Sequence, residues 1–242
     1  MLKTEPWNNF KKNFINLEEL GISIDTSKMN MPKSITPDKV KLFKKAFQNM
    51  KELESGSLAN HDENEMVGHY WLRDTSITSS LEIQKKIENS IIKIKQFSSG
   101  IHQGKIKPQK FSYFQNLLLI GIGGSILGTQ LLQNALIFEK ASMQFYFLDN
   151  TDPDGIDLVL KKIGKELEQT LTIIISKSGK TTETMNTMYE VRRSYSKLGL
   201  DFTKHAVAIT NENSRLSTLA NREKWLDSFT IWKWIGGRTS IF

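Results

Sequence analysis

Three short segments of this chain concentrate the residue types that can hold an oxyanion. The first is GIGGSILG, Gly121 to Gly128, placed directly after an apolar run. Glycines let a backbone approach an anion closely, and a helix that starts there offers unpaired N–H groups and a favourable dipole. Ser125 adds a hydroxyl donor. A dinucleotide site competes, and Asp149 lies about where a ribose-binding acid would, but its G-x-G-x-x-G fingerprint needs glycine where this chain has Ile126. Taken alone, the segment is either a phosphate loop or a tight strand-to-helix turn. The second segment, SKSGKTTET from Ser176 to Thr184, mixes hydroxyls with Lys177 and Lys180. Such donors can surround a phosphate on several sides. A nucleotide P-loop would need glycine at position 174, which is Ile174. The competing reading is a solvent-exposed, serine-capped helix start with Glu183 in its first turn. The third, WKWIGGRTSIF, sets Gly236 and Gly237 before Arg238, so that a planar guanidinium could reach across a sheet end. By itself it reads as a surface turn.

The elements that must carry these segments follow from periodicity. Residues 1–110 read as a mostly helical, polar segment, with one helix from Pro37 or Asp38 to about Leu53. A second runs from about Thr78 to Phe97, where Leu81, Ile87, Ile91 and Ile94 recur at helical steps. Between them, GSLANHDENEMVGHYWLRD is rich in turn formers, and FSSGIHQGKIKPQKF reads as a linker. Beyond residue 110, strands alternate with helices. The strands are Asn116–Gly121, Met143–Asp149, Leu171–Ser176, His205–Thr210 and Phe229–Ile235. The helices are Gly124–Phe138, Pro153–Leu167, Thr181–Lys197 and Asn213–Trp225. This order predicts an α/β fold with a mainly parallel sheet sandwiched by helices. Ligands in such sheets bind beyond the carboxyl ends of the strands, which directs attention to the loops after Ile120, Ile175 and Ile235.

Composition narrows the classes. The net charge is +7, yet the 33 lysines and arginines are spread along the chain without a run of like charge, which argues against nucleic acid. There is no cysteine, so disulfides and thiolate chemistry are excluded. The four histidines, His61, His69, His102 and His205, do not pair at metal-ligand spacing, and no metal site is expected. No stretch reaches the roughly 18 apolar residues needed to cross a bilayer, and MLKTEPWNNFKKNF has no apolar signal core, so the expectation is a cytoplasmic chain without a membrane role.

GIGGSILG, FLDNTDPDG, SKSGKTTET and GGRTS, in this order, resemble glucose-6-phosphate isomerase, and MVGHYWLRD (Met66–Asp74) resembles the amino-terminal region of a bacterial-type branch of that family. The resemblance covers about residues 60–242. It implies two sugar-isomerase (SIS) α/β domains of flavodoxin-like, three-layer architecture, a homodimer, and interconversion of glucose 6-phosphate and fructose 6-phosphate without an organic cofactor or required metal. Residues 111–242 would form the first SIS domain and residues 1–110 a helical extension. By the same resemblance, Ser125, Ser176, Lys177, Ser178 and Thr181 grip the phosphate, Gly124 lines the sugar, and Arg238 stabilises the enediolate. Gly179 and Lys180 depart from the threonine-rich version of better-known animal members, which touches the exact phosphate contacts. The family's glutamate base and its ring-opening histidine and lysine lie beyond the GGR motif, and neither Glu183 nor His205 matches them. The expectation is therefore a phosphate-binding part, inactive alone, with Trp232, Trp234, Ile241 and Phe242 forming an exposed apolar patch. The alternative is a non-catalytic sugar-phosphate-binding SIS module; a nicotinamide oxidoreductase is disfavoured by Ile126.

Overall fold

A computed structural model describes residues 5–30, 35–62, 64–78, 80–136 and 142–239 of the chain. Contacts divide it into two units, 1–49 and 50–242. In the first, helix α1 (Glu5–Asn13) leads into a small antiparallel hairpin of β1 (Phe14–Leu17) and β2 (Ile22–Asp25). Gly21, at φ +62°, supplies the left-handed residue that closes the turn between them. Helix α2 (Pro37–Glu54) opens on a proline and an aspartate, both suited to a first turn, and runs across the boundary between the units.

The second unit continues with a short hairpin, β3 (Leu58–Asn60) and β4 (Glu65–Met66), two 3₁₀ turns, and α3 (Leu81–His102). Ser80 caps α3 by accepting from the Ile83 amide at 3.3 Å. Then come β5 (Asn116–Ile120), α4 (Leu127–Leu136), β6 (Gln144–Leu148), α5 (Pro153–Ile163), β7 (Thr170–Ser176), α6 (Thr182–Lys197), β8 (Ala206–Thr210), α7 (Arg215–Glu223) and β9 (Asp227–Thr230). The five long strands form one parallel sheet in the order β6-β5-β7-β8-β9. Register aligns Ile120 with Leu148 and Ile174, Ser176 with Thr210, and Thr210 with Thr230, so the loops after these residues leave from one edge. Among the described residues no helix is long and apolar enough to cross a membrane.

Alternate residues of the central strands feed two cores, as a sheet covered on both faces requires. Leu118, Ile120, Ile174 and Ala208 pack under α5, α6 and α7. On the other face, Leu171 and Val207 meet Ile101 of α3, while Leu119 and Ile175 meet Ile126. Burying a side chain such as Ile174, at 0% exposure, stabilises the fold by about 2–3 kcal/mol relative to leaving it in water. The expected three-layer α/β fold is thus present.

Four details differ from the reading of the sequence. The two short hairpins within residues 1–110 were not anticipated. Helix α3 continues to His102 where a linker was expected, because Gly100 lets the returning Ile106 pack close; a Cβ there would lie 2.9 Å from Ile106 Cδ1. Helix α4 begins at Leu127, after a 3₁₀ turn over Gly123–Ser125, and the expected end at Phe138 lies outside the described residues. The last strand is Asp227–Thr230, not Phe229–Ile235. Beyond it, Trp234 and Ile235 turn away to pack on Trp71 and Ile87, and the Gly68 amide donates to the Trp234 carbonyl at 3.1 Å. Trp234 is therefore buried rather than part of an exposed patch, and Ile241 and Phe242 lie outside the described residues.

Candidate functional site

At the carboxyl edge of the sheet, β5 ends at Ile120 and the chain turns through Gly121–Ile126 into α4. The Gly121 amide donates to the Leu148 carbonyl at 3.2 Å and ties this turn to the neighbouring strand. A Cβ on Gly124 would sit 2.5–2.6 Å from the backbone of Gly237. The close approach of these two segments therefore depends on glycine.

Strand β7 ends at Ser176, which is buried, and the next five residues fold back upon it. Ser176 Oγ lies 2.9 Å from Thr181 Oγ1 and accepts the Gly179 amide at 3.1 Å. Ser178 Oγ accepts the Lys180 amide at 3.2 Å. Gly179 has φ +63°, and a Cβ there would come within 2.6 Å of Ser214 Oγ. The chain then enters α6 with Thr181 at its N-cap position and no side-chain cap bond. This is not the serine-capped start that the sequence allowed. The amide end of the helix opens on the cleft, with the positive pole of its dipole behind it.

The loop after β8 supports this one. Thr210 Oγ1 donates to the Ser176 carbonyl at 2.6 Å, and the Asn211 amide donates to the Lys177 carbonyl at 3.1 Å. Lys177 Nζ donates to the Lys233 carbonyl at 2.6 Å, joining the loop to the segment that follows β9. A cleft of ≈ 400 Å³ results, lined by Ser125, Lys177, Ser178, Thr181, Asn211 and Lys233, with Glu65 on its wall. A second cavity of ≈ 250 Å³ shares Ser125 and Lys177 and runs past Gly124, Trp232 and Gly237 over largely apolar walls.

Of the residues singled out by sequence, Ser125, Lys177, Ser178 and Thr181 line the larger cleft and Gly124 lines the smaller cavity. Ser176 sits behind them, its hydroxyl positioning Thr181 and Gly179. Arg238 is placed by its backbone, in the turn Gly237–Thr239; its side chain lies outside what is described. Sequence reasoning missed Asn211, Lys233, Glu65 and Ser214. The strand-end rule, applied to the loop after Thr210 as well, points to Asn211 and Ser214. His205 is far from the site. It precedes the first residue of β8, at the opposite edge of the sheet, where burial pushes its pKa below the usual value and its Nδ1 lies 3.0 Å from the Thr170 carbonyl.

The arrangement offers hydroxyls, an ammonium and a helix N-terminus around one cleft, with an apolar slot beside it. That suits a phosphorylated small molecule with a carbon stem. Glu65 is the one carboxylate among the described residues lining either cavity. Fold and site together define a parallel α/β protein with a cleft lined by hydroxyls and lysines at the carboxyl edge of its sheet. More particularly, the chain belongs to the phosphoglucose isomerase family, whose pattern matches residues 25–242. A glucose-6-phosphate isomerase of Desulfitobacterium hafniense (strain Y51) is 44% identical over all of this chain and 45% of its own length. One of Geotalea daltonii is 45% identical over all of this chain and 46% of its own length. The chain thus spans about half the length of the curated relatives it matches. The crystal structure of a glucose-6-phosphate isomerase from Chlamydia trachomatis D/UW-3/Cx superimposes with a TM-score of 0.75, covering 96% of this chain and 44% of that one. At 24% identity, that likeness speaks for the fold.

Proposed function

We propose that this chain is the phosphate-holding part of an aldose–ketose isomerase that interconverts glucose 6-phosphate and fructose 6-phosphate. The observation that carries this reading is the meeting of three motif segments, around Ser125, around Ser176–Thr181 and at Gly237, at one end of the sheet. In this reading Ser125, Ser178, Thr181 and Lys177 grip the phosphate together with the first amides of α6. Ser176 fixes the Thr181 hydroxyl, Gly124 leaves room for the sugar, and Arg238 has the role, implied by the resemblance, of stabilising the developing oxyanion. Residues 111–242 form the first sugar-isomerase domain, residues 1–110 its extension, and the working enzyme is a cytoplasmic homodimer.

The reaction asks for more than phosphate binding. A carboxylate must remove the proton from C2 and return it to C1, while charge that grows on the neighbouring oxygen is held by fixed donors. By family resemblance the base and the ring-opening pair map beyond the GGR motif, and none of these roles is transferred to Glu65, Glu183 or His205. These 242 residues by themselves are accordingly expected to give negligible turnover in a coupled assay. Family-like turnover would contradict that assignment.

Binding is tested separately. Titration with fructose 6-phosphate should shift the NMR amide signals of residues 121–128 and 176–184. Each lost hydrogen bond to a charged phosphate costs about 1.5–3 kcal/mol, so the double variant Ser176→Ala, Thr181→Ala should lose the response. Equal shifts in that variant would put the ligand elsewhere.

A further inference from the structure

We infer that Lys233, which lies outside every anion-binding role assigned above, is a second phosphate-binding cation of the cleft, held ready by Glu65. The inference rests on the phosphate reading of the cleft and adds a residue to it. Lys233 lines the same cleft as Ser125, Lys177, Ser178, Thr181 and Asn211. Its backbone is fixed by two hydrogen bonds. Its own carbonyl accepts Lys177 Nζ at 2.6 Å, and the next carbonyl, of Trp234, accepts the Gly68 amide at 3.1 Å. Trp234 also stacks on Trp232 at 5.0 Å between ring centroids and meets Trp71 edge-on at 5.1 Å. The Cα is thus anchored while the side chain, 72% exposed, stands at the cleft mouth.

Charge balance calls for this group. A phosphate monoester carries close to two negative charges near neutral pH, and the Glu65 carboxylate on the wall adds another. Against these, Lys177 supplies one positive charge and already uses one of its N–H donors on the Lys233 carbonyl. Lys233 is the other cation among the described lining residues. Its Nζ stands 3.7 Å from Glu65 Oε1, the outer limit of an ion pair. A pair this long, with its lysine largely in water, is weak. Glu65 therefore keeps the ammonium beside the cleft, and an arriving dianion, with more charge and better-placed oxygens, draws it across.

The test is titration of the 242-residue chain with inorganic phosphate and with fructose 6-phosphate, at low and high salt. Lys233→Gln should bind both ligands roughly fivefold more weakly at low salt, and the difference should shrink as salt screens an exposed charge. Lys233→Arg should restore most of the affinity, which a packing role for the lysine stem would not predict from charge alone. Glu65→Gln, by removing the competing carboxylate, should tighten binding about twofold. Equal affinity of the parent and Lys233→Gln, while Ser176→Ala with Thr181→Ala still abolishes binding, would overturn the role of Lys233 and leave the cleft assignment standing. Absence of any response to either ligand in the parent chain would overturn both.

Discussion

Gly123 and Gly179 share a left-handed backbone, at φ +56° and +63°, but differ in what surrounds them. No heavy atom would lie within 4 Å of a Cβ on Gly123, whereas one on Gly179 would press on Ser214 Oγ at 2.6 Å and the Leu216 amide nitrogen at 2.9 Å. Gly123→Ala should therefore cost only the conformational penalty, about 1–2 kcal/mol. Gly179→Ala should add overpacking to it and cost about 2–4 kcal/mol in all. Urea unfolding of the two variants separates the terms, and equal losses would mean that Ser214 simply moves aside. The residues of the site that were legible in the sequence have one thing in common. Ser125, Ser176, Lys177, Ser178 and Thr181 sit in contiguous loops where glycine and hydroxyls are concentrated. Lys233 was hidden because Trp232, Lys233 and Trp234 alternate like a strand, while the force that organises them is burial of Trp234 on Trp71, far away in sequence. Glu65 was hidden because a two-residue strand carries no readable period.

At the scale of elements, α6 is held at both ends, and the far end is as polar as the site. Tyr195, near the end of the helix, is buried; its hydroxyl donates to the Thr170 carbonyl at 2.9 Å and lies 2.9 Å from Thr172 Oγ1. The same carbonyl is 3.0 Å from His205 Nδ1, so one oxygen at the start of β7 serves both a helix and a strand. Burial lowers the His205 pKa from 6.5, while the Thr170 bond and the charges of Asp201 and Glu168 act in the opposite direction. The sign of the effect on stability follows. Below about pH 6.5 the unfolded chain takes up a proton that folded His205 resists, so this contribution is present above that pH and is lost as pH falls below it. The urea midpoint should drop between about pH 7.5 and about pH 5.5, and drop less in His205→Gln. An identical pH response in parent and variant would remove His205 from the account. The first four strands of the sheet were readable as short apolar runs, while β9, an edge strand with the polar sequence DSFT and only half-buried, was not. Helix α3 was read too short because Ser98, Ser99 and Gly100 look like a linker, although tertiary packing of Ile101 and Ile106 outweighs their weak helix propensity.

For the molecule as a whole, Trp234 drops out of the apolar patch that the sequence suggested, and among the described residues α4 presents exposed apolar surface. Trp232 and Trp234 pack on each other and toward Trp71, whereas α4 carries Leu127, Leu131, Leu132 and Leu136, each 41–64% exposed. A stripe of this kind promotes association. The 242-residue chain should self-associate at tens of micromolar, and Leu131→Lys should reduce light scattering without lowering the unfolding midpoint, since no core contact is removed. A monodisperse parent chain would refute this. The contact between Gly124 and Gly237 has a consequence of another sort, in time rather than in energy. The two glycines touch, but the ribosome makes the second more than a hundred residues after the first. At about 5–20 residues per second, the turn at Gly124 waits on the order of ten seconds for the surface that covers it. Strand β5 precedes Gly124 and β6 follows it early in that interval, so for most of the wait the growing chain holds a strand pair whose outgoing loop is still open, and the cleft closes only once Gly237 has been made.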